Sequence, residues 1–148
     1  MIKKMIPAGQ EVAEKKDGVL VWNKKRKLCK IMNMFSSYCE NVKIELNHEA
    51  SFKNQMTDNS CSNSLNNWLK KSLNVLNKQY EMINEQHTDN IAYAAILYSS
   101  IKVGMSSSIF LKCITPLAKR KKVNIKEVRS GDSYALFREM VEGAVYRN

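Results

Sequence analysis

At 148 residues the chain is long enough to bury one hydrophobic core and too short to hold a separate catalytic domain beside it. Its 44% apolar and 26% charged composition, with five Gly and two Pro, excludes collagen-like, disordered and disulfide-scaffold classes. The net charge of +10 creates a field that attracts polyanions and repels basic surfaces.

That charge is concentrated. One cluster is Lys24, Lys25, Arg26, Lys27 and Lys30; the other is Lys112, Lys119, Arg120, Lys121, Lys122, Lys126 and Arg129, opposed only by Glu127. The remainder of the chain is close to neutral. Cys29, Cys39, Cys61 and Cys113 form no close pair of the kind zinc ligands use, so no metal or other cofactor is expected. No apolar run follows Lys3 and Lys4 to make a signal peptide, which points to an intracellular, reducing location: cytoplasmic, or nucleoid or nuclear for a DNA binder.

In chain order, residues 1–23 read as an irregular arm or small hairpin. Pro7, Gly9 and Gly18 interrupt it, and Val19–Trp22 is a β-prone run after the turn pair Asp17-Gly18. A mainly α domain of about five to six helices, bundle-like, is expected from 24 to 148. Over residues 24–46, Leu28, Met32, Phe35, Cys39, Val42 and Leu46 recur at helical spacing, with Ile31 widening the stripe. Such a stripe faces a core; a homodimer seam writes the same pattern. With the helix starting at Lys24, its first-turn cations oppose the helix dipole and invite an external anion.

Residues 47–63, rich in Asn and Ser, read as a polar loop or linker. Residues 64–148 then read as a helical core. Ser62 or Ser64 caps a second helix through about Gln86, with Leu65, Trp68, Leu69, Leu73, Leu76, Tyr80 and Ile83 on one face. From Ile91 to Ile101 no residue is charged and apolar groups surround the helix, which marks it as the centre of the bundle. Lys102, Gly104 and nearby serines argue against a membrane span there. Gly104 is a stop, Ser106–Ser108 a restart, and Thr115-Pro116 an N-cap opening a further helix. After Ser130-Gly131, Asp132 or Ser133 caps a last helix with Tyr134, Phe137, Met140, Val141, Ala144 and Val145 inward and an Arg138–Glu142 pair outside.

Within the basic segment 112–129 and its surroundings, residues 115–131 have the outline of a degenerate helix-turn-helix. Leu117, Ala118, Val123, Ile125 and Val128 would lock two short helices, but the usual turn glycine is missing. Clustered cations support phosphate contact more directly than base reading. The expected partner is therefore nucleic acid, DNA before RNA. The alternative is an interaction module for an acidic protein or a partner helix; anionic membrane attachment ranks third. No phosphate loop, HExxH or GxSxG is present, and His48, His87 and Cys61 lie in polar surroundings, so an enzyme is not expected.

Overall fold

In a computed structural model, residues 13–52, 60–83, 87–118 and 125–146 are described. They form six α-helices and no strand among the described residues: α1 (Ala13–Phe52), α2 (Ser60–Lys78), α3 (Thr88–Lys102), α4 (Ser107–Ala118), α5 (Ile125–Ser130) and α6 (Asp132–Tyr146). A 3₁₀ turn at Tyr80–Met82 follows α2. The mainly α expectation holds. No described helix is long and apolar enough to cross a membrane.

Two boundaries differ from the sequence reading. The helix expected at 24 begins at Ala13, so residues 13–23 are helical and not arm or hairpin; residues 1–12 lie outside the described residues. Gly18 costs a helix about 1 kcal/mol, but adding a turn to an existing helix needs no new nucleus. At the other end α1 runs on to Phe52, and α2 opens at Ser60, so the loop expected over 47–63 is largely helix; 53–59 lie outside the described residues. The stretch is polar but contains neither Gly nor Pro, and polarity alone does not stop a helix.

α3 is the hub. It packs against α1, α2, α5 and α6, with a smaller contact to α4. Ala92, Ala94 and Ala95 let neighbouring helices approach closely, and Ile91, Ile96 and Leu97 fill the space between. Its two buried serines are satisfied. Ser72 donates to the Trp68 carbonyl at 2.8 Å, leaving its oxygen to accept from Ser99 at 3.3 Å. Ser100 donates to the Ile96 carbonyl at 2.8 Å and accepts from the Tyr38 hydroxyl at 2.7 Å.

Gly104 ends α3 as predicted, at φ 76°. The amides of Gly104 and Met105 return to the carbonyls of Ile101 and Ser100, a Schellman closure that a residue with a Cβ would strain. Ser106 then accepts from the Ile109 amide at 3.3 Å and starts α4.

The buried stripe of α1 is Ile31, Phe35, Tyr38 and Val42, rotated from the predicted one: Met32 is 45% exposed and Cys39 only half-buried. Tyr38 belongs inside because its ring meets Phe110 at 6.1 Å and its hydroxyl finds Ser100. This stripe packs on α2, α3 and α4, so it is core and not a homodimer seam; Phe35 is 5% exposed. α6 buries Tyr134, Phe137, Met140 and Val141, and its Arg138–Glu142 pair forms at 3.1 Å.

Candidate nucleic-acid interface

The first basic cluster lies well inside α1, at least eleven residues past its start, because the helix begins at Ala13. The helix dipole acts only over the first and last turns, so the anion-compensation argument for Lys24–Lys27 does not apply. Helical spacing divides the cluster instead. Lys24 and Lys27 face the end of α2, where their Nζ atoms lie 5.9 and 4.9 Å from the centre of the Tyr80 ring. Lys27 also donates to the Ile83 carbonyl at 3.2 Å. The contact lies just beyond the end of α2: the chain leaves the helix at Lys78, turns through Tyr80–Met82 and buries Ile83, where the sequence pattern ran on to Gln86. Lys25 and Arg26 point outward and are exposed. Lys30 is exposed and pairs with Asp89 at 3.0 Å.

In the second cluster, Lys112 pairs with Glu45 of α1 at 3.4 Å. Lys119, Arg120, Lys121 and Lys122 lie outside the described residues, as do Val123 and Asn124. Lys126 and Arg129 are exposed on α5. The predicted break at Thr115-Pro116 is absent: α4 continues through Pro116 to Ala118. Proline removes one amide donor from this last turn, the one that would serve the Lys112 carbonyl, and side chains add donors to the carbonyls on either side of it. Thr115 donates to Leu111 at 2.6 Å and Asn41 to Cys113 at 3.0 Å. The six-residue α5 rests mainly on α3 and α6; the turn and most of the first helix of the helix-turn-helix read over 115–131 lie outside the described residues.

Two open clefts bring these parts together around the first turns of α3. One, of about 330 Å³, is lined by Lys30, Asn33 and Ser37 of α1, Asp89 and Tyr93 of α3, and Pro116–Ala118 of α4. The other, of about 340 Å³, lies between His87, Asn90 and Tyr93 on one side and Glu127, Val128 and Gly131–Ser133 on the other. Tyr93 lines both. Burial, and then the Asp89 charge, raise its hydroxyl above the ordinary tyrosine range, so it stays a neutral donor at physiological pH. Gly131 keeps this junction uncrowded, since a Cβ there would stand 3.0 Å from the Glu127 carbonyl oxygen and force a shift of a few tenths of an ångström.

Asp89, Tyr93, Asn33 and Ser37 were not among the predicted site residues. Tyr93 was read as part of an all-round apolar helix; the signal that separates it is Asp89, one turn earlier on the same face. His48 and His87 are exposed, as expected, whereas Cys61 sits half-buried in the first turn of α2 rather than in a loop. No group of three or more His, Cys, Asp or Glu side chains is arranged to hold a metal among the described residues.

These features define an all-α protein with two clefts flanking the first turns of α3. No protein-family model matches the chain, and neither a curated protein nor a solved structure does.

Proposed function

We propose that the chain is a small regulatory protein that binds nucleic acid, chiefly through phosphate contacts, at the end of the bundle marked by the first turns of α3. The observation that carries this reading is a convergence. Lys30 of the first cluster and Ala118, the residue before Lys119, line one cleft although 88 positions separate them. In sequence, Ala118 is followed directly by Lys119–Lys122. α5, with Lys126 and Arg129, borders the adjoining cleft.

Asp89, Glu127 and Asp132 temper the field at this end, and Lys24, Lys27 and Lys112 have partners within the protein. We take the exposed Lys25, Arg26, Lys126 and Arg129, together with the sequence run Lys119–Lys122, as the phosphate contacts, with Lys30 joining them once it exchanges its surface pairing with Asp89. An exposed pair of that kind contributes about 0–1 kcal/mol, less than a phosphate contact returns by releasing counterions.

The test replaces Lys119, Arg120, Lys121 and Lys122 together by Gln. The helical circular dichroism should be unchanged and binding to mixed-sequence DNA should weaken strongly. The slope of log affinity against log salt should become shallower by up to about 0.9 per lost phosphate contact. If the unaltered protein shows no salt-dependent binding to DNA or RNA, the reading fails, and an acidic protein partner is the one to seek.

A further inference from the structure

We propose that the cleft between α1, α3 and the last turn of α4 seats one unpaired nucleobase, which makes single-stranded nucleic acid the preferred form. This inference rests on the nucleic-acid reading above and adds to it the state of the strand.

The size of the cleft comes first. About 330 Å³ is at the small end of the range for small-molecule sites and has room for a flat ring system, whereas a helix or strand of a partner protein needs a long groove. The lining supplies what a base requires. Met34, Pro116 and Leu117 provide an apolar wall, and Tyr93 presents a half-buried ring with its hydroxyl. Asn33 and Ser37 are exposed, offer both donors and acceptors, and make no hydrogen bond among the described residues. Asp89 supplies a carboxylate, the acceptor that suits the exocyclic amine of a base.

The surroundings fit a strand rather than a free base. Lys30 lines the cleft and is exposed, so a phosphate next to a seated base would meet a cation. A base in a duplex has its pairing edge occupied and its faces stacked, and reaching this cleft would require flipping it out. An unpaired base enters without that cost. Stacking and edge contacts of this kind are worth about 1–3 kcal/mol per base, or roughly fivefold to a hundredfold in affinity.

The experiment uses the full chain and short labelled oligonucleotides of one mixed sequence at fixed salt: single-stranded DNA, the same strand as RNA, the DNA duplex, and an abasic strand that keeps every phosphate. Intact single strands should bind at least about fivefold more tightly than the abasic strand. The DNA and RNA arms show whether the 2′-hydroxyl matters. Ser37→Trp fills the cleft from an exposed helix position without changing charge, and should abolish that difference while leaving duplex binding intact. Ser36→Trp, exposed on the same helix but outside the cleft, should leave the difference in place. Equal binding of intact and abasic strands overturns the base seat and leaves phosphate binding standing, as does a Ser37→Trp variant that keeps the difference. The abasic comparison holds even if a variant fails to fold. Absence of binding to every oligonucleotide overturns the nucleic-acid reading and the base seat together.

Discussion

The two basic clusters look alike in sequence and are put to different uses in the structure. In the first, helical geometry turns Lys24 and Lys27 inward against Tyr80 and the Ile83 carbonyl, where they hold the end of α2 to α1. Lys25 and Arg26, one position away, face solvent. In the second, Lys126 and Arg129 are exposed on a short helix, and Lys112 reaches across to Glu45 of α1. A lysine packed on an aromatic ring and bonded to a carbonyl is a structural strut, and one on an outer face is left to solvent. Charge density does not tell them apart, whereas position on the helical wheel does.

The strongest challenge to this contrast is made on α1 itself. Phe35→Asp, on the face opposite the exposed cations, places an unpaired carboxylate among buried side chains and should unfold the protein, seen as loss of helical circular dichroism at 25 °C. A folded monomer would mean that the stripe is an interface after all. Lys27→Gln should lower stability by about 1–2 kcal/mol in urea denaturation, because it removes a cation–π contact and a charged hydrogen bond. If the loss appears in nucleic-acid affinity with stability unchanged, the inward assignment is wrong. Replacing Lys25 and Arg26 by Gln should do the reverse, changing stability by less than about 0.5 kcal/mol while making the salt dependence of binding shallower. Lys30→Gln should also have a small effect on stability, below about 1 kcal/mol and falling with salt, because both partners of its ion pair are exposed.

Alkaline pH probes the interior against which both clusters are arranged. Burial foremost, followed by its hydrogen bond to Glu142, pushes the Tyr98 hydroxyl up to about 12; burial also raises that of Tyr38. Tyrosine in an unfolded chain ionises near 10. The folded state therefore favours the neutral phenol: its contribution to stability is complete below about pH 10 and is lost as the pH rises from there towards 12. Phenolate absorbance from these two residues should rise only together with the loss of helical signal, and Tyr98→Phe should diminish this coupling.

Much of the fold was legible because apolar spacing and capping chemistry are local. The centre of the bundle at Ile91–Ile101, the Gly104 stop, the Ser106 restart and the Arg138–Glu142 pair all follow from residues within a few positions of one another. The misreadings came from weighing local signals against helix continuity. Asp17-Gly18 writes a turn and residues 47–52 write a loop, yet neither stops a 40-residue helix. Thr115-Pro116 writes an N-cap, but proline near the end of α4 sacrifices only one amide, in a turn whose nearby carbonyls find side-chain donors. The site was less legible. The clusters stood out, but their division into struts and outward cations depends on Tyr80, Ile83, Asp89 and Glu45, which are remote in sequence. Tyr38 was missed as core for the same reason, since its partner Ser100 is 62 positions away.

That long reach has a consequence for the chain as it is made. The Ile31–Val42 stripe precedes its partners: Tyr38 meets Ser100 62 positions later, and Asn41 meets the Cys113 carbonyl 72 positions later. At ribosomal rates of about 5–20 residues per second these two partners emerge roughly 3–14 s after their α1 residues. Lys24, Lys25, Arg26, Lys27 and Lys30 border one end of the stripe and Lys43 the other, the placement of charge beside an apolar segment that opposes its self-association.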